Sequence, residues 1–129
     1  MSQLYLSSLN SGSNGNCYYV GDDHDAVLID AGISCRETEH RLTRLGLSLA
    51  KVRAILISHE HTDHIMGAEV LSRKHRIPVY ITPATHLNSL IRIDHYLLRP
   101  FSADDVAKVI VHGARLTVDH VGFKYRPNG

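Results

Sequence analysis

Near the middle of the chain stands the stretch Val52-Arg53-Ala54-Ile55-Leu56-Ile57-Ser58-His59-Glu60-His61-Thr62-Asp63-His64. Its first six residues are apolar enough for a central strand, and the residues from Ile65 to about His75 have the apolar spacing of a helix. The polar part of the stretch is therefore predicted to form the loop between that strand and that helix.

This loop concentrates side chains that bind metal ions. Within six residues it carries three imidazoles and a carboxylate, from His59, His61, Asp63 and His64, and these groups suit zinc and related divalent ions. In an extended segment His59 and His61 point the same way, so both can bind one ion, while the turn into the helix brings Asp63 and His64 toward a second. Two such ions would share a bridging hydroxide. The alternative is a solvated loop that is rich in histidine by chance.

Other metal and thiol motifs fit the chain less well. His59-Glu60 begins like the HExxH motif of zinc proteases, but Asp63 stands where the second His must be. Cys17 and Cys35 are too few for a disulfide framework and lack CxxC spacing, so both are predicted to be reduced and structural. A catalytic thiol acting with distant histidines is the less favoured alternative.

The rest of the chain alternates between β and α patterns. Ser34, followed three residues later by Glu37, fits a capping box that opens a helix, and Gly46 provides its stop. The predicted helices are Ser34 to about Leu45, Ile65 to about His75, and Ala84 to Arg92 after Pro83. The predicted strands are Leu4–Leu6, Cys17–Val20, Ala26–Ile29, Val52–Ile57, Val79–Ile81, Val106–Val111, Leu116–Val118 and Val121–Tyr125, with Gly113 as a turn. This order predicts an α/β fold, half of a sandwich with helices on one side of a sheet.

Composition limits the class of protein. The 129 residues are 43% apolar and 21% charged, which fits one compact domain over residues 1–129, or part of one. Lys and Arg total 14 against 13 for Asp and Glu, so net charge points to neither nucleic acid nor lipid. No apolar run approaches the ~18 residues of a membrane span, and the first residues lack the features of a signal peptide. We therefore expect a cytosolic protein without a membrane partner.

The motif His59-x-His61-x-Asp63-His64 after an apolar strand resembles the signature of the metallo-β-lactamase-fold hydrolases. Two further blocks are similar to the opening of the YycJ/WalJ-like branch of that superfamily: Ser11-Gly12-Ser13-Asn14-Gly15-Asn16-Cys17-Tyr18-Tyr19-Val20 and Leu28-Ile29-Asp30-Ala31-Gly32. The resemblance implies a four-layer αββα fold, of which this chain would hold only the N-terminal half. It also implies a metal site of one or two ions, zinc or manganese, and hydrolysis of phosphodiester bonds in nucleic acid, as in an exonuclease.

The resemblance also implies roles for individual residues. His59 and His61 would bind the first ion, Asp63 and His64 the second, and Asp63 would orient the attacking water. Asp30 would brace the ligand loop without binding metal; a plain turn aspartate is the alternative.

The glycine-rich segment from Ser11 to Asn16 carries a separate expectation. Its backbone N–H groups would approach a substrate phosphate, because glycines permit close contact. The alternative is a tight hairpin loop with no ligand. It is not a P-loop, since no Gly-Lys-Ser/Thr follows.

The third histidine of the first ion is less easily placed. The family has it within His-Asp-Ala, shortly before Pro-Val-Gly-Phe, and the intact triplet is absent here. Asp119-His120 before Val121-Gly122-Phe123 favours His120, His112 beside Gly113 is the second candidate, and neither binding metal is a third possibility. The remaining histidines are expected to be surface or hydrogen-bonded residues without metal: His24, His40, His75, His86 and His95.

The family's bridging aspartate and final histidine have no counterpart in this sequence. We therefore expect one well-held ion and one weakly held ion. Three functions stay open: a phosphodiester hydrolase acting on nucleic acid, a metal-binding domain without turnover, and a hydrolase of a small ester, thioester or lactam. Exposed parts of the sheet would need to be covered, for example by a second copy of the chain.

Overall fold

A computed structural model of the chain describes residues 4–58, 61–100, 107–111, 114–119 and 122–127, and in the last three ranges it describes the course of the backbone. The strands are β1 (Tyr5–Asn10), β2 (Cys17–Gly21), β3 (Ala26–Ile29), β4 (Val52–Leu56), β5 (Val79–Ile81), β6 (Leu98–Pro100), β7 (Ala107–Val111), β8 (Ala114–Asp119) and β9 (Gly122–Pro127). The helices are α1 (Cys35–Arg44), α2 (Thr62–Ile65), α3 (Ala68–His75) and α4 (Pro83–Ser89), with a short 3-10 turn at Leu49–Lys51.

Two sheets contain these strands. The first has the spatial order β1-β2-β3-β4-β5-β6, with β1, β2 and β3 antiparallel and β3, β4, β5 and β6 parallel. The second is the antiparallel meander β7-β8-β9. Because neighbouring parallel strands end at the same edge of a sheet, the residues that follow β3 and those that follow β4 meet there.

Apolar side chains are buried on both faces of the first sheet. On β4, Ile55 belongs to a large core cluster that includes Leu42 of α1 and Leu71 of α3. Its neighbour Leu56 belongs to a second cluster, with Val20, Val27 and Ala54 from strands. Successive strand residues point to opposite faces, so the helices cover one face of the sheet. The α/β fold with helices on one side, expected from the sequence, is confirmed.

The helix predicted from Ile65 to His75 is wrong in one respect, because it is two helices. Met66 and Gly67 separate α2 from α3. The Gly67 N–H donates to the Ala31 carbonyl at 2.8 Å, and a Cβ on Gly67 would overlap the Ile33 carbonyl oxygen. The break is therefore imposed by the close passage of the segment that follows β3.

Other boundaries also differ from the sequence-based expectations. Strand β1 runs on to Asn10, α4 ends at Ser89 because Leu90 turns left-handed at φ 57°, and β6 was not predicted. Gly113, Val106 and Val121 lie outside the described residues. No helix among the described residues is long and apolar enough to cross a membrane.

Candidate metal centre

The candidate site lies where β3 and β4 end together. Asp30 follows β3, and Ser58 and the short helix α2 follow β4. The structure brings together Asp30, Asp63 and His64 of the residues predicted from the sequence. His61 lies on the same loop, immediately before α2, as its N-cap residue with extended backbone. The other predicted ligands lie outside the described residues: His59, and the two candidates for the third histidine, His112 and His120.

Asp30 is the most constrained residue of the site. Its side chain is 5% exposed, and its backbone is left-handed at φ 64°, a conformation that costs an L residue about 1–2 kcal/mol. Its Oδ1 accepts the Ser58 N–H at 2.7 Å, and its Oδ2 accepts the Ser58 hydroxyl at 2.7 Å. The fold therefore fixes this carboxylate from two sides before any ligand is considered.

The same carboxylate determines the tautomer of His64. Oδ2 of Asp30 lies 2.6 Å from Nδ1 of His64. Because an ionised carboxylate can only accept, Nδ1 carries the hydrogen and donates it, and in the neutral imidazole the lone pair then lies on Nε2. This arrangement is typical of metal-binding histidines, whose second ring nitrogen usually donates to a carboxylate or a carbonyl. The geometry is the one that a bracing role for Asp30 requires, and that role stays a prediction.

The other ring nitrogen of His64, Nε2, lies near the neighbouring carboxylate of Asp63. Nε2 of His64 lies 3.7 Å from Oδ2 of Asp63. Two ligands of one tetrahedral zinc, each bonded at 2.0–2.1 Å, stand about 3.4 Å apart. The side chains of Asp63 and His64 are 31% and 18% exposed, so both remain accessible from solvent. These two residues fit one divalent ion with little movement.

Asn16 holds Asp63 from behind, a contact that the sequence did not predict. The Asn16 Nδ2 group lies 3.2 Å from Oδ2 of Asp63 and 3.2 Å from its carbonyl oxygen. The backbone N–H of Asn16 donates to the same carbonyl at 2.6 Å. Asn16 therefore holds Asp63 in position by hydrogen bonds, as Asp30 holds His64. The signal available in the sequence was its place in the glycine-rich block, but its partner lies 47 residues away.

Glycines allow these segments to approach so closely. A Cβ on Gly32 would overlap the carbonyl of Asp63, and one on Gly15 would stand 2.6 Å from the Gly32 carbonyl. The Gly32 N–H donates to the Asn16 carbonyl at 2.9 Å, and the Ala31 N–H donates to the His64 carbonyl at 2.8 Å. Three segments are thus joined backbone to backbone around the candidate ligands.

The glycine-rich loop uses several of its N–H groups internally. Gly12 donates to Oδ1 of Asn16 at 3.1 Å, Gly15 donates to the Gly12 carbonyl at 3.1 Å, and Asn16 donates to Asp63. These three groups are therefore engaged and do not point at a phosphate. The loop expected to cradle phosphate instead closes on itself and supports Asp63, which favours the hairpin alternative.

The cysteines are placed as structural thiols. Both are free and buried. Burial raises the pKa of Cys17 to about 12, with the charge of Asp30 adding to the effect, so its thiolate is scarce at neutral pH. This argues against the catalytic-thiol alternative for Cys17.

Residues 11–125 match the family model described as the metallo-beta-lactamase superfamily. The chain belongs to this superfamily. It is 43% identical over 108 residues to exodeoxyribonuclease YycJ of Bacillus anthracis, which covers 80% of this chain and 40% of that protein. It is 39% identical over 79 residues to exodeoxyribonuclease WalJ of Streptococcus pneumoniae, which covers 61% of this chain and 29% of that protein. The resemblance to the YycJ/WalJ-like branch is confirmed.

A solved structure shows the same fold. A B3 metallo-beta-lactamase with an active-site glutamic acid superimposes with a TM-score of 0.73 at 15% identity, covering 96% of this chain and 55% of that chain. At this identity the likeness shows the fold alone. The metallo-β-lactamase fold class is thereby confirmed, and the chain spans about half of that structure and 40% of the B. anthracis relative.

Proposed function

We propose that this superfamily member is a metal-dependent hydrolase of phosphodiester bonds in nucleic acid, acting on DNA in the manner of an exonuclease. The observation that carries the metal site is the pair Asp30 and His64, which leaves Nε2 of His64 3.7 Å from Oδ2 of Asp63. The likeness to the two exodeoxyribonucleases supports DNA as the substrate class.

Four residues of the motif would hold the ions. In this proposal His59 and His61 bind one ion, with His120 or His112 as the third ligand, and Asp63 and His64 bind a second. Divalent ions bound there, zinc or manganese, would lower the pKa of a bound water and would stabilise the negative charge on the phosphate oxygens.

The chain's own contacts explain how the site would stay ready for that chemistry. Asp30 accepts the Nδ1 hydrogen of His64, so in the neutral imidazole the lone pair that an ion needs lies on Nε2. Asn16 limits rotation of the Asp63 carboxylate through its Nδ2 group. Asp63 then accepts a hydrogen bond from the attacking water and orients it toward phosphorus.

In this function nucleic acid would be the partner, as the substrate. The two free cysteines support a reducing, cytosolic location. Two further expectations stay predictions: residues 1–129 form one domain, and a second copy of the chain covers exposed parts of the sheet.

The test compares metal content and turnover in matched variants. The chain is loaded with zinc or manganese and incubated with end-labelled linear DNA, with a thioester and with a lactam. We expect metal-dependent release of nucleotides that is lost in Asp63→Asn and His61→Ala. His40→Ala, which changes an exposed histidine on α1, serves as the control and should behave as the unmodified chain.

Two results would overturn the proposal. Hydrolysis of the thioester or lactam without release of nucleotides would assign the chain to small-molecule hydrolases. Stoichiometric metal binding without turnover of any of the three substrates would make it a metal-binding domain.

A further inference from the structure

A second group of metal-binding side chains lies between α1 and α3. Cys35 is the first residue of α1, Glu39 follows one turn later, and His75 is the last residue of α3. One ligand atom from each of the three, a thiol sulfur, a carboxylate oxygen and a ring nitrogen, lies within 4.8 Å of the other two. None of these residues belongs to the candidate metal centre.

The group is ordered by contacts around Glu39. Nε2 of His75 lies 2.8 Å from Oε2 of Glu39, and Nζ of Lys74 lies 2.7 Å from the same oxygen. The hydrogen bonds from Lys74 and His75 hold the pKa of Glu39 below its ordinary value. Glu39 is therefore an ionised acceptor at neutral pH, positioned between a buried thiol and an imidazole.

From this geometry we propose that Cys35, Glu39 and His75 form a second site for a zinc-type divalent cation, with water as the fourth ligand. A thiolate together with an imidazole and a carboxylate suits zinc and excludes magnesium and calcium, which prefer oxygen. His75 at the carboxyl end of α3 also places the cation where the helix dipole favours positive charge. The ion would tie the start of α1 to the end of α3.

Two features of the site determine how it would fill. Burial, and next the charge of Glu39, raise the pKa of the Cys35 thiol, so binding would transfer its proton to solvent as the sulfur–metal bond forms. Lys74 forms an ion pair with Glu39 and would compete with the metal ion for its carboxylate. The Lys74 side chain is 56% exposed, so it can move away. Without the ion, His75 is the hydrogen-bonded residue expected from the sequence.

The experiment is a cobalt titration of the full chain followed by absorption spectroscopy. Cobalt replaces zinc in such sites and shows a near-ultraviolet charge-transfer band only when a thiolate is a ligand. We expect that band in the unmodified chain, its loss in Cys35→Ser, and its retention in Cys17→Ala. Glu39→Gln and His75→Gln each remove a ligand and should weaken binding by at least about 100-fold, the upper end of what loss of a supporting residue costs. Lys74→Gln should strengthen it.

The outcome is separable from the proposed function. A variant with His59→Ala and His61→Ala should keep the charge-transfer band, whatever happens to hydrolysis. The site is overturned if the unmodified chain shows no band, or if the band persists in a folded Cys35→Ser variant. If Cys35→Ser does not fold, unchanged cobalt affinity in Glu39→Gln and His75→Gln overturns it equally.

Discussion

The Asp30 carboxylate lies 2.6 Å from Nδ1 of His64 and thereby decides which nitrogen of that imidazole is available to an ion. The contact joins the end of β3 to the turn after β4, across 34 residues of sequence. It exists because the two strands are parallel neighbours that end at one edge, with Asp30 continuing the pairing through its N–H to the Leu56 carbonyl at 2.7 Å. The pairing of β3 with β4 therefore places Asp30 where it orients the His64 imidazole for metal binding.

Replacing this carboxylate by an amide should weaken metal binding while leaving the fold intact. In Asp30→Asn the side chain remains of similar size, but it no longer accepts from His64 as a charged group, so the tautomer is less strongly fixed. We expect zinc affinity to fall by roughly 10–100-fold, measured by competition with a chromogenic chelator. Asp23→Asn, at an exposed turn, is the control, and equal affinity in both variants would contradict the bracing role.

Asn16 should matter for metal binding although it is not a ligand. Asn16→Ala removes the Nδ2 contacts to Asp63 and to the Gly12 carbonyl. Without them the Asp63 carboxylate samples more rotamers, so we expect about a 10-fold loss of affinity for the more weakly held ion. The stability cost should be about 1–3 kcal/mol. Asn14→Ala, at an exposed position of the same loop, should change neither quantity; isothermal titration calorimetry and urea denaturation provide the comparison.

Sequence patterns predicted most of the first sheet because its strands are short apolar runs between turn signals. That Asp30 acts together with the histidine loop was implied by the resemblance to the metallo-β-lactamase-fold hydrolases, and it stays a prediction. Sequence patterns did not predict the helix break at Gly67, because the carbonyl of Ile33 that forces it comes from a segment that is distant in sequence. Asn16 was missed for the same reason. The group around His75 was missed because it forms only when α1 packs on α3.

Substitutions at two glycines separate the effect of steric overlap on stability from the effect of backbone conformation. Gly32→Ala places a Cβ against the Asp63 carbonyl. A Cβ at Gly46 meets nothing within 4 Å, so Gly46→Ala changes stability only through the strained φ of 72°. We expect Gly46→Ala to cost about 1–2 kcal/mol. Gly32→Ala should cost more, about 3 kcal/mol or above, because backbone must move. Thermal unfolding of both variants decides the matter; a Gly32→Ala chain as stable as Gly46→Ala would show that the three segments are not tightly joined.

Alkaline pH should destabilise the chain through Cys17. This thiol is fully buried, and burial raises its pKa from 9.0 to about 12. Below pH 9.0 both folded and unfolded chains keep the proton, so the contribution is fully present. Between pH 9.0 and about 12 the unfolded chain loses the proton and the folded chain keeps it, so stability falls by about 1.4 kcal/mol per pH unit. Above about 12 both states are ionised and the loss is complete.

The measurement for Cys17 is urea denaturation in small pH steps. Tyr19, whose pKa burial raises from 10.0 to about 12, adds a second loss only above pH 10.0. The interval from pH 9.0 to 10.0 therefore isolates the cysteines. Cys17→Ala should reduce the loss of stability over that interval by about 1 kcal/mol, because the unfolded thiol is half ionised at its lower end, after its constant cost for the lost sulfur is subtracted. An unchanged slope would mean that the Cys17 thiol ionises in the folded chain, and the sulfur would then have to lie within reach of water.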